Sequence, residues 1–271
     1  MYNQFINRVK LSATIKARTG LYIGAGQGSY SPLETQCPVV KTKQGYPYIP
    51  GSSLKGVLRS FLESVQCNID NVILSQNCVS CNNSLAKKED REAWVKRYGS
   101  EDADGGTKRL AMYIEQGSCP ACRLFGSPIM AGKLKFADAT LKNQKKETEK
   151  RMGNAIDRDT HTAVSGALFE TEVIPTGTEF SLLVIAENLT KEEAEIFSEL
   201  MEYFADGGIT IGGRARAGLG IISVKDFVTE VFCTSETGFR PKRKYCCPGL
   251  DVSKMTEFLP GKEDENVQEA I

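Results

Sequence analysis

The stretch YIPGSSLKGVLRSFLESV, residues 48–65, carries the clearest helix signal in the sequence. Its apolar residues recur at the spacing of a single helix face: Leu54, Val57, Leu58, Phe61, Leu62 and Val65. This periodicity predicts an amphipathic helix that begins after Pro50 and buries one side in a core. Lys55 and Arg59 lie about one helical turn apart and project away from the apolar face.

The segments around this helix indicate an α+β fold. Residues 5–18 alternate apolar with basic or polar side chains, which is typical of a half-buried strand. Further strands are predicted at residues 133–141, 180–186 and 221–227. Thr190 and Glu193 predict a capping box at the start of a second helix. The order strand, helix, excursion, strand, helix, strand is typical of a ferredoxin-like core with insertions.

Two regions interrupt this order. Residues 66–130 contain cysteines and one short helix candidate near residues 92–98, so we expect an irregular insertion. Residues 142–164 are charged and weakly apolar, which predicts an exposed hairpin. The predicted organisation is a core domain over 1–228, containing an insertion over 66–130 and an excursion over 140–170, followed by a C-terminal extension over 229–271.

The composition excludes several classes of protein. The 271 residues include 34 Lys and Arg against 34 Asp and Glu, so the formal net charge is zero. No apolar run is long enough to cross a membrane. The segment MYNQFINRVK, residues 1–10, lacks the apolar centre of a signal peptide, so we expect a cytoplasmic protein. A reducing cytoplasm argues against disulfides among the nine cysteines, and a single histidine excludes multi-histidine metal centres.

The zero net charge hides blocks of opposite sign. Residues 1–60 contain eight cations and one anion, whereas residues 170–202 contain nine acids and one base. Residues 207–250 are again basic, and residues 251–271 are acidic. Because the basic blocks also carry glycines and turn residues, they favour an anion-binding surface over a merely solvated face.

Two CxxC pairs, Cys78 with Cys81 and Cys119 with Cys122, predict a structural zinc site. Zinc takes four thiolate ligands in a tetrahedron, and each CxxC turn supplies two of them. Such a site would stabilise an insertion that cannot bury enough core alone. The alternative is four unpaired cysteines in apolar packing, and Cys67 is a reserve ligand.

Two glycine-containing segments favour the binding of phosphate. The predicted helix start presents backbone N–H groups beside Ser52 and Ser53. Residues 211–220 hold four glycines and two arginines, and the residues that suit an oxygen-rich ligand are Gly212, Gly213, Arg214 and Arg216. Together with the glycine-rich loop at 20–32, they predict a track for a polyanion. The alternatives are a capped helix with solvated cations and a flexible hairpin.

Three segments together resemble the CRISPR-associated RAMP superfamily. They are IGAGQGSYSPLETQCPVVKTKQGYPYIPGSSLKGVLRS (23–60), CPACRLFGSP (119–128), and DRDTHTAVSGALFETEVIPTGTEF (157–180) followed by IGGRARAGLGII (211–222). The resemblance covers roughly residues 5–228. It points to the Cas-seven-like backbone subunits of type III effector complexes, of the zinc-bearing III-D or III-E kind.

The resemblance implies an RRM-like core whose copies stack along a crRNA guide in antiviral defence. The implied partners are crRNA, target RNA, neighbouring RAMP subunits and other type III subunits. Guide phosphates would be held by Lys55, Arg59, Arg214 and Arg216. A thumb hairpin would place Met152 or Ile156 between bases, flanked by Arg151, Arg158 and His161.

The resemblance also bears on catalysis. Active members of the family place an aspartate before the strand that here contains PVV, and the matching residue is Gln36. An amide lacks the charge needed to bind a metal or accept a proton. We therefore expect a subunit that binds RNA without cutting it. The alternatives are a Mg²⁺-dependent target-RNA endoribonuclease using Glu34, a guide-processing ribonuclease using His161, and a zinc-stabilised module with a protein or DNA partner.

Overall fold

The computed structural model describes residues 5–26, 36–69, 78–81, 87–98, 103–143, 147–235, 238–250 and 255–259. The elements in chain order are β1 (Asn7–Ala17), α1 (Gly51–Ile69), α2 (Lys88–Tyr98), α3 (Ala103–Gln116), α4 (Pro120–Phe125), β2 (Leu134–Phe136), β3 (Thr140–Leu141), β4 (Glu149–Gly153), β5 (Phe169–Val173), β6 (Glu179–Glu187), α5 (Lys191–Ala205), β7 (Ile222–Ser235) and β8 (Gly238–Pro248). A 3-10 turn over Ala215–Ala217 precedes β7. This mixture of helices and antiparallel strands confirms the α+β fold class.

Among the described residues, the main sheet has six strands in the order β2, β6, β1, β7, β8, with β3 also paired to β6. The pairings are antiparallel. β1 is the central strand, because Leu11 lies opposite Val184 of β6 and opposite Thr229 of β7. The sheet therefore joins strands that are far apart in the sequence.

The core lies between this sheet and the helices α1 and α5. The alternation predicted for residues 5–18 is confirmed, because every second residue of β1 from Val9 to Ala17 is buried. The helix residues in the same apolar core include Leu54, Leu58 and Leu62 of α1 and Ala194, Phe197, Met201 and Phe204 of α5. Burial of a leucine or phenylalanine side chain contributes about 1.5–3 kcal/mol to stability. The capping box of Thr190 and Glu193 is also confirmed.

The outer face of the sheet is a network of ion pairs rather than a uniformly basic surface. Cations of β1 and β7 form ion pairs with carboxylates of β6 and β7. The pairs are Arg8 with Glu187 (2.6 Å), Lys10 with Glu230 (2.9 Å), Lys16 with Glu179 (3.9 Å) and Lys225 with Glu179 (2.9 Å). The alternation along β1 did not indicate these partners, since they come from β6 and β7.

The hairpin predicted within residues 142–164 extends further along the chain than expected, because its second strand, β5, begins at Phe169. β4 pairs antiparallel with β5, and Gly153 lies opposite Phe169. The two strands form a separate two-stranded sheet beside the main one. The hairpin therefore leaves the core and returns to it at β5.

Two helices and strand β8 were not predicted, and strand β7 is longer than expected. α3 and α4 lie in the region that was expected to be irregular, so that expectation was wrong for these segments. Gly105 and Gly106 lower the helix propensity of α3, and α4 has only six residues. β7 continues to Ser235 because it pairs with β8. The proposed boundary after residue 228 falls within β7, and the domain division stays a prediction.

Candidate nucleic-acid interface and metal centre

Four segments that are distant in the sequence meet at one place, which we call the loop junction: residues 20–24, 36–39, 169–174 and 211–220. Isolated β-bridges join Leu21 to Ile174 and Cys37 to Thr171. The N–H of Gly213 donates to the carbonyl oxygen of Tyr22 at 2.8 Å. The structure thus unites the two glycine-rich loops with the base of the β4–β5 hairpin.

Arg214 lies at the centre of the loop junction. Its guanidinium carbon is 4.6 Å from the ring centroid of Phe169 and 5.5 Å from that of Tyr22. Its Nη2 donates to the Cys37 sulfur at 3.4 Å. Such cation–π contacts hold a guanidinium in place without neutralising its charge. The side chain is half-buried and preorganised, with N–H groups left over for an anionic ligand.

The phenol of Tyr22 is affected by this packing. Burial raises the pKa of Tyr22, the neighbouring Cys37 raises it further, and Arg214 lowers it in part. The phenol is therefore neutral at physiological pH, so the positive charge of Arg214 is not cancelled by it. No sequence pattern pointed to Tyr22, Cys37 or Phe169, because their meeting depends on the strand pairing.

The glycines of the C-terminal loop have a steric role. Gly212 has φ of 80°, and a Cβ there would overlap the Tyr22 carbonyl oxygen. Only glycine permits this close approach of the two loops. Gly212, Gly213 and Arg216 are exposed, so the loop offers backbone and guanidinium donors to solvent.

The β4–β5 hairpin presents apolar side chains to solvent. Met152 is 56% exposed and Ile156 is 67% exposed. Neither side chain therefore belongs to the buried core. Arg151 points back to the loop junction, since its Nη2 would lie 3.1 Å from a Cβ at Gly20. Arg158 is exposed near the hairpin tip.

The hairpin tip is an ordered turn. Asp157 accepts hydrogen bonds from the N–H groups of Asp159 and Thr160, at 2.9 and 2.8 Å, and these bonds lower the pKa of Asp157. The N–H of His161 donates to the Asp157 carbonyl oxygen at 3.0 Å, and His161 has φ of 54°. Its imidazole is exposed. The structure therefore gives His161 a defined backbone position at the hairpin tip.

Glu172 ties the hairpin base to the segment that follows Gln36. Its carboxylate accepts from the N–H of Val39 at 3.0 Å, from Thr148 Oγ1 at 2.6 Å, and from Lys41 Nζ. Burial alone would raise the pKa of Glu172, but these three donors outweigh it and lower the pKa. Gln36 is exposed beside this anchor, and Glu34 lies outside the described residues.

The start of α1 is already capped by a carboxylate. Asp138 Oδ1 accepts from the Gly51 N–H at 2.8 Å. Ser52 is exposed, and Ser53 and Lys55 are half-exposed, so their side chains face solvent beside the cap. Because the Asp138 carboxylate already accepts from Gly51 and repels an anion there, a phosphate near this helix start would be bound by Ser52, Ser53 and Lys55 instead. Nothing in the sequence linked Asp138 to Gly51, because 87 residues separate them.

The four predicted cysteines come together. The sulfur atoms of Cys78, Cys81, Cys119 and Cys122 all lie within 4.8 Å of one another. Cys81 Sγ is 3.5 Å from Cys122 Sγ and 3.9 Å from Cys119 Sγ. A tetrahedral Zn–S₄ centre requires S–S separations of about 3.8 Å. The geometry therefore fits a four-coordinate metal such as zinc. Cys67 lies in the last part of α1, where side chains are outside the described residues.

Without a cation, the cysteine cluster cannot hold four thiolates at neutral pH. Hydrogen bonding from Cys122 lowers the pKa of Cys119 to about 5, whereas burial raises the pKa of Cys81 to about 12. The hydrogen bond to Cys119 raises the pKa of Cys122 as well. Without a metal the cluster thus retains protons, and a divalent cation would displace them and hold four thiolates.

Comparison with known proteins decides the family. The family model described as RAMPs, RAMP superfamily, matches residues 14–223. The chain belongs to the RAMP superfamily. This RAMP chain is also 25% identical over 252 residues to the CRISPR system Cms endoribonuclease Csm3 of Methanocaldococcus jannaschii, covering 88% of the chain and 84% of that protein.

The cysteine cluster of this RAMP protein is joined to its core by charged side chains. Arg123 Nε, one residue after Cys122, lies 3.5 Å from Glu193 Oε1 at the start of α5. Lys133 Nζ is 3.3 Å from Glu115 of α3 and 2.8 Å from Glu193. These contacts connect the cysteine-bearing segment to the sheet and to α5. No sequence pattern indicated these contacts.

The length and hydropathy of its helices decide whether this RAMP protein could span a membrane. Within the part of the chain that the structure describes, no helix is both long and apolar enough to cross a membrane.

Proposed function

We propose that this RAMP-superfamily chain is a backbone subunit of a type III CRISPR effector complex, which holds crRNA and presents it to target RNA. The observation that carries the proposal is the loop junction, where two glycine-rich loops and a preorganised arginine meet beside an exposed hairpin. The similarity to a CRISPR-system protein along most of the chain supports the same role.

The proposal includes a ferredoxin-like, RRM-like core. The strand order β2, β6, β1, β7 supports it, because helices follow β1 and β6 as in a split βαβ arrangement. The division into a core over 1–228, an insertion over 66–130, a thumb over 140–170 and an extension over 229–271 belongs to this proposal.

The protein holds the guide RNA by its sugar–phosphate backbone. Arg214 and Arg216 bind guide phosphates together with the N–H groups of Gly212 and Gly213. Lys55, beside Ser52 and Ser53, supplies a second phosphate contact. Recognition by phosphate and shape leaves the sequence choice to base pairing, as in other RNA-guided proteins.

The hairpin acts as the thumb. Met152 or Ile156 inserts between bases of the guide–target duplex, and Arg151, Arg158 and His161 flank that position. The exposure of these side chains supports this role, since Val164 and Leu168 of the same hairpin are exposed too, and several exposed apolar residues in one place mark an interaction surface. Neighbouring RAMP subunits would repeat the contact along the RNA.

Zinc is the metal that we propose for the cysteine cluster. Cys78, Cys81, Cys119 and Cys122 would hold it, and a closed four-sulfur site stabilises structure rather than catalysing a reaction. Its role here is to fix the insertion against the core.

RNA that co-purifies with the complex tests the proposed function. The chain is expressed with the other complex subunits and a guide locus, purified, and its RNA is sequenced. We expect guide RNA of uniform length, and much less of it with the double variant Arg214→Ala, Arg216→Ala. Random cellular fragments, retained equally by that variant, would contradict the proposal.

Cleavage of the target RNA is a second candidate function, because the similar protein Csm3 is named as an endoribonuclease. Gln36 argues against cleavage, because an amide offers neither a charge for Mg²⁺ nor a base. The assembled complex, incubated with labelled target RNA and Mg²⁺, should leave the RNA intact. A cut lost in Glu34→Ala would establish Glu34 as the catalytic carboxylate, and a metal-independent cut lost in His161→Ala would point to His161.

A further inference from the structure

We propose that Arg59 is a positioning residue of the cysteine cluster, which retains the metal and fixes α1 against α4, rather than a direct phosphate ligand. Arg59 and Lys55 are equivalent in the sequence pattern, since both are cations on one side of α1. The structure gives them different surroundings.

The first step concerns the hydrogen bonds of Arg59. Its Nε donates to Glu63 Oε1 at 2.8 Å, and its Nη1 donates to the carbonyl oxygen of Gly126 at 2.8 Å. Gly126 directly follows α4, the helix that contains Cys122. Two of the three nitrogen atoms of Arg59 are thus engaged within the protein: Nε bonds Glu63 of the same helix, and Nη1 reaches the cysteine-bearing segment.

The second step concerns the carbonyl group that Arg59 binds. The N–H of Gly126 donates to the Cys122 carbonyl oxygen at 2.8 Å. Gly126 has φ of 89°, and a Cβ there would lie 2.7 Å from the N atom of Gly132. The backbone at Gly126 is therefore constrained on both sides. A short chain of bonds runs from Glu63 through Arg59 and Gly126 to the backbone of Cys122.

The third step concerns charge. Four thiolates around one Zn²⁺ carry a net charge of −2, which is costly in a partly buried site without a nearby cation. The Nη1 of Arg59 donates to the Gly126 carbonyl oxygen, and the Gly126 N–H donates to the Cys122 carbonyl oxygen, so only two hydrogen bonds separate the guanidinium from the Cys122 backbone. The guanidinium thus lies within the field of the sulfur cluster. It offsets the charge of the metal site and holds the adjacent backbone.

This arrangement couples the metal to the proposed RNA contact. Lys55 precedes Arg59 by one helical turn, so α1 connects the two residues rigidly. Loss of the metal would free α4 and release Arg59, and α1 would lose one of its attachments. Arg59 would then influence RNA binding without touching RNA. This last consequence rests on the proposed function.

The test compares Arg59→Ala and Arg59→Lys with Lys55→Ala in the zinc-loaded protein. The rate of zinc release to a chromogenic chelator is measured first. Residues that orient metal ligands change affinity by about 10–100-fold, so we expect release about 10-fold faster or more in Arg59→Ala. Arg59→Lys should fall between, because one ammonium keeps the charge without bonding both Glu63 and Gly126. Lys55→Ala should release zinc at the wild-type rate.

The salt dependence of RNA binding is the second measurement. Loss of one phosphate contact lowers the slope of log affinity against log salt by about 1. We expect that loss in Lys55→Ala and an unchanged slope in Arg59→Ala. If Arg59→Ala releases zinc at the wild-type rate, the inference is overturned. If Arg59→Ala lowers the salt slope of RNA binding as much as Lys55→Ala does, Arg59 is a phosphate ligand. If Arg59→Ala does not fold, Arg59→Lys and Glu63→Gln decide by zinc release alone. If the wild-type protein binds no RNA, the proposed function fails. The rates of zinc release then still decide whether Arg59 supports the cysteine cluster.

Discussion

Lys133 donates to both carboxylate oxygens of Glu193, at 3.1 and 2.8 Å, in a buried ion pair. Lys133 is 7% exposed and Glu193 is fully buried. Glu193 also accepts from the Thr190 N–H in the capping box of α5. The pair therefore secures the start of α5, the entry to β2 and, through Arg123, the segment that contains Cys122.

Glu193→Gln should be strongly destabilising. The substitution leaves the Lys133 ammonium buried without its full counter-charge, and breaking such a pair costs about 3–5 kcal/mol. Urea denaturation measures the free energy of unfolding. Glu187→Gln is the matched control, because its partners Arg8 and Lys135 are solvent-exposed and such pairs contribute about 0–1 kcal/mol. An equal loss of unfolding free energy in the two variants would show that burial of the Lys133–Glu193 pair adds nothing to its contribution to stability.

Cys119→Ser should remove the bound metal and lower the thermal stability. A serine hydroxyl is a poor zinc ligand, and a structural zinc site contributes directly to folding. Metal content by elemental analysis and the melting temperature are the two measurements. Cys246→Ser is the control, since Cys246 is exposed and outside the cluster. Full zinc content in Cys119→Ser would refute the four-cysteine site.

Glu172→Gln should destabilise the protein in a pH-dependent manner. The pKa of Glu172 is lowered in the folded state from its ordinary value of 4.5, so the charged carboxylate stabilises the fold above about pH 4.5. That contribution is lost as the pH falls through the lowered pKa. The gap in unfolding free energy between wild type and variant should therefore be full at pH 7 and shrink below pH 4.5. A gap that stays constant down to pH 3 would assign the effect to packing instead.

Much of the fold could be predicted because it depends on local patterns. The alternation of β1, the periodicity of α1 and the Thr190 capping box each lie within a short segment, and all three are confirmed. The two CxxC pairs likewise identified the cysteine cluster. In each case the residues themselves carry the geometry.

The parts that could not be predicted depend on long-range contacts. The sequence indicated Arg214 as a phosphate ligand only through its charge. Its position beside the rings of Tyr22 and Phe169 arises only when four distant segments meet. Asp138 caps α1 from a loop between β2 and β3. The ion pairs on the outer face of β1 come from β6 and β7. Sequence spacing holds no information on such partners.

Arg214→Lys should weaken RNA binding more than Arg216→Lys does. Lysine cannot stack between two rings and donate to Cys37 while presenting further N–H groups to a phosphate. Arg216 is exposed, so lysine can replace its charge there. Fluorescence anisotropy with a labelled single-stranded RNA measures both affinities. Equal losses would mean that the packing of Arg214 adds nothing to its charge.

The most direct test of the proposed function is equilibrium binding of single-stranded RNA and of duplex DNA of equal length across a series of salt concentrations. We expect the chain to bind the RNA more tightly than the duplex DNA, with an affinity that falls steeply as the salt concentration rises. The double variant Arg214→Ala, Arg216→Ala should lower both the affinity for RNA and the salt slope. Equal affinity for duplex DNA, or RNA binding that neither salt nor the double variant changes, would contradict the proposed function.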